Sequence, residues 1–369
     1  MTDTERRDDS GAALANDTAE PPIAESAGEG VEAGPRGRAR RARPKAKKQL
    51  IIHAGLHRTG TTAIQEALSG SRELLAAKGI SYPLDFAPGE KGQQRMKNHL
   101  NLAFALLRDE ISPEQVLEWL SQAASGHWKV ILSAEDFCRL KDLRFLEPLL
   151  DSFEIEVVFY LRRQDDWVNS WYNQNIRWPF DGTLARTTPL GFLDHIERFE
   201  WLRYFDVLER WERVLGREKL HVRVVEKGQV SDVVADLFEI CGLPPPAALH
   251  RTNESAPASQ LELLRRLELI KHPNNARVVV LDALARLAVP SASTNVYPAA
   301  VRQLVYQRFA TQNEKVARVY LDRLDGVLFR DTNFPNDVPN IDGSAPLDEG
   351  MLLSLIGNLI DFAVSKDSR

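Results

Sequence analysis

The stretch Gln49–Gly70 contains the residues best suited to bind a phosphate. It opens with the apolar run LII, which predicts a short buried strand, and continues through a loop bounded by Gly55 and Gly60. A helix is predicted next, because apolar residues recur there at helical spacing, at Ile64, Ala67 and Leu68. In a strand, glycine loop and helix, the loop N–H groups and the helix N-terminus present partial positive charge to an anion. The stretch therefore predicts a phosphate site.

The loop GLHRTGTT, residues 55–62, has the glycine spacing of a Walker A loop but lacks its lysine. Thr61 occupies the lysine position, and the strong cation lies inside the loop at Arg58. A kinase or an ATPase needs that lysine on the transferred phosphoryl group and a metal ion beside it. The loop therefore favours an anion site of another kind. The simpler interpretation is a glycine turn in an ordinary βα unit.

Charged residues follow two further predicted strands, at the point where each strand ends. Glu135 and Asp136 come after the run WKVILS, and Arg162 comes directly after the run IEVVFYL. Ser170 lies eight residues after Arg162, about two turns into a predicted helix. Because ligands in open α/β sheets bind at the carboxyl ends of strands, Arg162 and Ser170 could close on one anion from two sides. The simpler interpretation is a surface arginine and a helical serine.

Two motifs in this order resemble those of sulfotransferases that use 3′-phosphoadenosine 5′-phosphosulfate (PAPS). The segment RTGTT, residues 58–62, is similar to the family's 5′-phosphosulfate loop, in which a lysine usually stands at the position of Arg58. The segment YLRRQDDWVNSWY, residues 160–172, is similar to the 3′-phosphate motif, with Gln164 where proline is frequent. Diffuse similarity to bacterial members continues in RTNES at 251–255, in FATQNE at 309–314 and at Leu328-Phe329. The resemblance covers residues 50–330.

The resemblance implies an enzyme that moves a sulfuryl group from PAPS, its cosubstrate, to a hydroxyl or amine of an acceptor, without a metal ion. The acceptor class that it favours is a carbohydrate or a glycolipid. It implies that Arg58 stabilises the leaving phosphate and that Arg162 and Ser170 hold the 3′-phosphate. The other PAPS-binding residues that it implies are His57, Thr59, Gly60, Thr61 and Thr62.

Sulfuryl transfer also needs a general base that takes the proton of the acceptor. Glu135 is the first candidate, because it follows a strand end beside the glycine loop and because related sulfotransferases use Glu or His. His99 is the second candidate, and His57, inside the loop, is the third. The simpler interpretation of Glu135 is a carboxylate that stabilises the N-terminus of the following helix.

An aromatic segment follows Arg162 and contains Trp167, Trp171, Tyr172 and Trp178 among amide side chains. Aromatic faces beside amides could hold a sugar. Trp167 and Trp171 are four residues apart, however, and that helical spacing is more typical of core residues.

Two other functions remain open at this point. One is a P-loop small-molecule kinase that uses ATP and magnesium, against which Thr61 in the lysine position counts. The other is a non-catalytic nucleotide-binding protein of the same fold, which the change of lysine to Arg58 leaves open.

The composition predicts a globular chain that is not a general nucleic-acid binder. The sequence has 369 residues, of which 43% are apolar, enough for a substantial core, and its net charge is −5. Cys138 and Cys241 lie far apart and have no metal-binding spacing. We find no signal-peptide pattern and no run long enough to span a bilayer, so we expect a soluble cytoplasmic protein.

The chain divides into three predicted regions. Residues 1–48 lack aromatic side chains and are predicted to form a disordered tail, acidic up to Glu32 and basic at 36–48. The basic stretch could contact nucleic acid, an anionic membrane or an acidic partner, although a solvated tail is the simpler interpretation. Residues 49–330 are the predicted sulfotransferase-like domain, and residues 331–369 a loop and a short helix.

Strands that alternate with helices predict an α/β fold, with a parallel sheet covered by helices on both faces and a helical C-terminal part. The resemblance implies the same architecture, the P-loop NTPase-like sulfotransferase fold. Strands are predicted at 50–52, 128–133, 155–161 and 221–226, with a short extended piece at 79–83. C-terminal helices are predicted near 259–270, 278–287, 298–323 and 348–364.

Overall fold

A computed structural model describes residues 46–86, 97–179, 181–246, 255–268, 271–287, 293–337 and 349–367, with side chains up to residue 360 in the last range. Most of the predicted tail and of its basic stretch therefore lies outside the described residues. The motif residues 251–254 and part of the predicted loop after residue 330 also lie outside them. No helix in the described ranges is long and apolar enough to cross a membrane.

The core of the fold is a parallel sheet of five strands, in the order β2-β3-β1-β4-β5. The strands are β1 Lys48–His53, β2 Ile80–Ser81, β3 Lys129–Ser133, β4 Phe153–Leu161 and β5 Leu220–Val224. β1 lies between β3 and β4, with His53 opposite Ser133 on one side and Val158 on the other. The carboxyl ends of these three strands therefore meet at one edge.

Helices follow most of the strands and continue to the end of the described chain. They are α1 Thr61–Gly70, α2 Arg72–Ala77, α3 Leu100–Leu107, α4 Pro113–Ala123, α5 Gln164–Arg177, α6 Pro189–Leu193, α7 Tyr204–Leu215, α8 Val233–Ile240, α9 Ala258–Arg266, α10 Asn274–Ala285, α11 Ala299–Arg308, α12 Ala310–Tyr320 and α13 Glu349–Asp367. Short 3₁₀ helices join several of them, including Glu135–Arg139 directly after β3.

Both faces of the sheet are covered, and the alternation of side chains along β1 explains why. Leu50 and Ile52 pack into a cluster with side chains of α4, α5 and α7. Ile51, one residue away and on the opposite face, packs with α1, α2 and α8. Each face buries its own apolar cluster, as parallel sheets require. The predicted fold class, with its helical C-terminal part, is confirmed.

The C-terminal helices differ in detail from the prediction, which had one segment over 298–323. Two helices occupy this region, separated at Phe309, whose backbone leaves the helical conformation at φ −102° and ψ 7°. The Phe309 ring is buried. The break has a packing reason, because α11 packs against α5 whereas α12 packs against α7.

The sequence analysis predicted no element between residues 178 and 219, where the structure has α6 and α7. The amphipathic pattern of α7 was present in the sequence, because its buried side chains, Tyr204, Val207, Leu208 and Trp211, recur at helical spacing.

A buried ion-pair network joins the end of β4 to the C-terminal part of the chain. Arg163 donates Nε to Asp165 Oδ1 at 2.7 Å, and Arg302 of α11 donates Nε to Asp165 Oδ2 at 2.8 Å. Arg163 also donates to the backbone carbonyls of Asp331, at 2.6 Å, and Asn333, at 2.8 Å. Every charge in this group has a partner, which a buried charge requires.

Gly55 lies where the glycine loop comes close to the residues that follow β3. Its φ is +88°, and a Cβ atom placed there would lie 2.7 Å from the Cα atom of Glu135. We expect Gly55→Ala to lower the free energy of unfolding by more than about 3 kcal/mol, the upper end of what a strained φ alone costs. Urea unfolding followed by circular dichroism measures the loss.

Gly126→Ala is the matched control for this prediction. Gly126 also has a positive φ, +74°, but nothing lies within 4 Å of its added Cβ atom. We expect only the conformational cost there, about 1 kcal/mol. Equal losses in the two variants would show that the close approach to Glu135 is unimportant.

Candidate functional site

A cavity of about 1150 Å³ opens at the carboxyl ends of β1, β3 and β4. Its lining includes the loop residues His57, Arg58, Thr59, Gly60, Thr61 and Thr62, together with Glu135, Asp136, Arg162 and Gln174. The strand ends and the glycine loop therefore meet in one cavity. This volume lies slightly above the usual range for small-molecule sites.

The glycine loop turns sharply before α1 and leaves the N-terminus of α1 open. Arg58 and Gly60 both have positive φ values, 64° and 88°, and the helix begins at Thr61. Thr59 donates its hydroxyl to the Leu56 carbonyl at 2.6 Å, which fixes the turn. α1 has neither a side-chain cap nor an acidic residue in its first turn. Its first N–H groups therefore suit an anion.

The Arg58 side chain lies along α5. Its Nε donates to Ser170 Oγ at 2.7 Å, and its Nη1 donates to Gln174 Oε1 at 3.3 Å. Arg162 holds the backbone of the loop, because its Nη1 donates to the Arg58 backbone carbonyl at 3.0 Å. The structure thus brings together three predicted site residues: Arg58, Arg162 and Ser170. Ser170 is buried, at 3% exposure, and reaches the cavity through Arg58.

Two arginines of the site, Arg58 and Arg162, lie close together, and carboxylates also line the cavity. Burial, followed by the nearby charges of Arg162 and Arg177, lowers the pKa of Arg58 to about 10. Neither Arg58 nor Arg162 forms an ion pair with a carboxylate in the described part of the chain. Arginines held close together by neutral acceptors favour binding of an anion between them.

Glu135 lies on the opposite side of the loop and lines the cavity. Its Oε2 accepts a hydrogen bond of 2.7 Å from Gln65 Nε2, and Gln65 Oε1 accepts one of 3.1 Å from Asn98 Nδ2. This chain of amides fixes the orientation of the carboxylate, and its other oxygen, Oε1, accepts no hydrogen bond from the part of the chain that the structure describes. The position is one from which a carboxylate can accept a proton inside the cavity.

His57 faces a second carboxylate, Asp136. The distance from His57 Nε2 to Asp136 Oδ1 is 3.7 Å, and Arg139 Nη1 donates to the same oxygen at 2.5 Å. Burial raises the pKa of Asp136, but interactions with His57 and Arg139 outweigh it and hold that pKa below its usual range. The His57 ring packs beside those of Trp171 and Trp201, with centroids at 4.9 and 5.5 Å.

His99 lies apart from this group. It is 2% exposed, does not line the cavity, and packs against the rings of Tyr82 and Trp119. The Ser133 backbone N–H donates to its Nδ1 at 3.0 Å. Burial lowers the pKa of His99 to about 4, so the imidazole is neutral at neutral pH.

Several aromatic side chains line the cavity. They are Phe104, Trp171, Trp178, Phe199 and Trp201. Trp167 is fully buried and stacks on Trp171 at 5.1 Å, as the helical spacing predicted, whereas Trp171 itself also lines the cavity. Trp178 is 37% exposed at the mouth.

Sequence reasoning gave no role to Gln65 and Arg139, and it noted Gln174 only as one of the amides in the aromatic segment. For Gln174 a signal existed, because it lies four residues after Ser170 and hence on the same face of a helix. Gln65 likewise lies on the helix that follows the glycine loop. Asp136 and Arg139 are three residues apart, a spacing at which opposite charges meet on a helical turn, so a signal for their ion pair also existed.

Comparisons with known proteins give few matches. No protein-family model matches the chain. An uncharacterised protein of Archaeoglobus fulgidus is 26% identical over 201 residues, which cover 52% of this chain. The match covers 53% of that protein, so the chain spans about half the length of the curated relative it matches.

Two solved structures are also similar. One is the sulfotransferase domain of the Synechococcus PCC 7002 olefin synthase, with 14% identity, 72% of this chain and 97% of that domain covered, and a TM-score of 0.33. The other is the sulfotransferase domain of the curacin biosynthetic pathway, with 13% identity, coverage of 73% and 98%, and a TM-score of 0.33.

The two fully buried histidines give a pH-dependent stability. Burial lowers the pKa of His53 to about 3 and that of His99 to about 4, whereas unfolded histidine titrates near 6.5. As the pH falls from 7 to 5, the unfolded chain takes up protons that the folded chain does not. We expect the free energy of unfolding to fall, with a limiting slope of about 1.4 kcal/mol per pH unit for each histidine. Urea unfolding at pH 7, 6 and 5 measures this slope.

His99→Asn should remove one of the two contributions to the slope. His272→Asn, at an exposed position, is the matched control for the substitution. A free energy of unfolding that is flat between pH 7 and 5 in the unmodified protein would contradict the assignment of both histidines.

Proposed function

We propose that this chain is a PAPS-dependent sulfotransferase, which transfers a sulfuryl group from PAPS to a hydroxyl or amine of an acceptor. The observation that carries the proposal is the meeting of Arg58, Arg162 and the open N-terminus of α1 in one cavity, without a carboxylate partner for either arginine in the described residues. PAPS carries a 5′-phosphosulfate and a 3′-phosphate, and these two anionic groups match the two neighbouring cations, Arg58 and Arg162. The resemblance of residues 58–62 and 160–172 to the family's two phosphate motifs supports the same assignment.

The proposed reaction is a direct displacement at sulfur. The acceptor oxygen attacks the sulfur atom while the bond from sulfur to the 5′-phosphate oxygen breaks, and the products are the sulfated acceptor and adenosine 3′,5′-bisphosphate. Glu135 takes the proton of the acceptor hydroxyl on Oε1, with Gln65 holding its other oxygen. The loop N–H groups and Arg58 stabilise the charge that develops on the leaving phosphate.

The aromatic side chains of the cavity support an acceptor with apolar faces. Trp171 and Trp201 lie beside His57, and Trp178 also lines the cavity. Ring faces of this kind can pack against the C–H face of a sugar, and the ion pair of Asp136 with Arg139 offers polar groups at its edge. A carbohydrate or glycolipid hydroxyl therefore remains the proposed acceptor.

Nucleotide preference tests the proposal. We expect adenosine 3′,5′-bisphosphate to bind in the presence of a chelator, and more tightly than ATP with magnesium. Arg162→Ala should weaken its binding about ten- to a hundredfold, because a hydrogen bond to a charged group contributes about 1.5–3 kcal/mol. Adenosine 5′-phosphosulfate, which lacks the 3′-phosphate, should bind almost unchanged. Calorimetric titration measures all three nucleotides.

The control for this titration is Arg213→Ala, an exposed arginine of α7 far from the lining residues. Equal losses for the bisphosphate and the phosphosulfate would mean that Arg162 acts only by supporting the Arg58 carbonyl. Preference for ATP with magnesium would overturn the proposal in favour of a kinase. Tight binding without sulfuryl transfer to any screened acceptor would favour the non-catalytic alternative.

The assignment of the base is tested by Glu135→Gln. Glutamine keeps the shape and the contact with Gln65 but cannot take a proton, so the rate should fall about 10²- to 10⁴-fold. Binding of the bisphosphate should be unchanged, because its proposed contacts come from other residues. Single-turnover transfer at saturating PAPS, with an acceptor found by screening, measures the rate.

Glu73→Gln, on the exposed face of α2, is the matched control for Glu135→Gln. His99→Asn is the competing variant. If Glu135→Gln keeps the rate and His99→Asn loses it, while both variants remain folded, the base is His99 and the assignment of Glu135 is wrong.

A further inference from the structure

Arg58 differs from a lysine in what it needs to be held in place. A lysine ammonium is a compact charge that one acceptor can orient, whereas the guanidinium is planar and is fixed only when two of its edges are bound. In this chain Ser170 binds one edge of the guanidinium. Gln174 binds the second edge, because its Oε1 accepts a hydrogen bond from Arg58 Nη1 at 3.3 Å.

We propose that Gln174 is the positioning residue for Arg58. By holding the guanidinium in place, it allows an arginine to take the role of the lysine in the sulfotransferase family that the chain resembles. This inference rests on the proposed function and extends it to a residue outside both phosphate motifs. Gln174 lines the same cavity as Arg58.

The geometry of α5 explains why position 174 is suited to this role. Ser170 and Gln174 are four residues apart, so their side chains lie one turn apart on one face of the helix. Ser170 Oγ takes the Nε edge of the guanidinium at 2.7 Å, and Gln174 takes the Nη1 edge. Together they fix the plane of the group along α5. Three of the five N–H donors of Arg58 remain for a ligand.

The neutrality of Gln174 matters as much as its position. A carboxylate at 174 would form an ion pair with Arg58 and compete with the incoming anion. An amide oxygen accepts the hydrogen bond and leaves the positive charge uncompensated. Arg163, one residue after Arg162, shows the contrast, because it pairs with Asp165 and serves the fold. The site therefore keeps Arg58 ordered and charged at once.

A double-mutant cycle tests the role. The variants are Gln174→Leu, Arg58→Lys and the pair of both, each titrated with adenosine 3′,5′-bisphosphate and with inorganic pyrophosphate. We expect Gln174→Leu to weaken binding about tenfold in the unmodified protein, as loss of one hydrogen bond to a charged group does. In the Arg58→Lys background, the same substitution should change affinity less than twofold. Equal losses in both backgrounds would overturn the inference.

Gln174→Glu separates positioning from a merely structural role. Glutamate has nearly the shape of glutamine and keeps an acceptor oxygen, so a structural role would tolerate it. We expect affinity to fall further than in Gln174→Leu, because the new carboxylate pairs with Arg58. Affinity equal to that of the unmodified protein would contradict the inference. Gln122→Leu, on the exposed face of α4, is the matched control, and thermal melts confirm that each variant is folded.

The two probes distinguish failure of this inference from failure of the proposed function. Coupling with pyrophosphate and no binding of the bisphosphate would support the role of Gln174 and overturn the assignment to PAPS. Binding of the bisphosphate without coupling would leave the assignment to PAPS standing and overturn the role of Gln174.

Discussion

The position of β1 between two parallel neighbours determines where every residue of the candidate site lies. His53 is in register with Ser133 of β3 and with Val158 of β4, so the chain leaves all three strands at one edge. The loop after β1 then passes so close to the end of β3 that Gly55 lies against the backbone of Glu135. A slip of one residue in either pairing would turn alternate side chains to the opposite face and would separate the loop from Glu135. The register of the sheet therefore determines where the site residues lie, whatever side chains they carry.

The arginines at this edge divide into two groups with different partners. Arg163 is buried and paired with Asp165, and its charge is used within the protein. Arg58 and Arg162 instead contact a serine hydroxyl, an amide oxygen and a backbone carbonyl, none of which carries a full negative charge. Burial lowers the pKa of Arg58, and the nearby charges of Arg162 and Arg177 lower it further. A bound anion would reduce the repulsion between the two arginines, which is one reason why we propose a negatively charged ligand for this edge.

Much of this architecture was predictable, because strand runs and glycine loops are local signals. The runs that became β1, β3, β4 and β5 were placed within two residues of their ends, and a parallel sheet was predicted from their alternation with helices. The order of the strands in the sheet was not predicted. The contact of Arg58 with Ser170 joins residues 112 positions apart, and it depends on a rotamer that no local pattern specifies. The burial of His99 was equally hidden, since it depends on Tyr82 and Trp119 packing around it. Contacts of this kind follow from the assembled fold.

The anchoring of Arg163 has a consequence for the order in which the chain can fold during synthesis. Its two carbonyl acceptors come from Asp331 and Asn333, which lie 168 and 170 residues further along the chain. Until that segment leaves the ribosome, the end of β4 carries a guanidinium that lacks two of its acceptors, although all five strands of the sheet have already been made. The strand edge that holds the site thus reaches its final form only after most of the polypeptide has been made. A truncated product ending before residue 331 would retain both phosphate motifs and still lack the two backbone acceptors of Arg163, which lies inside the second motif.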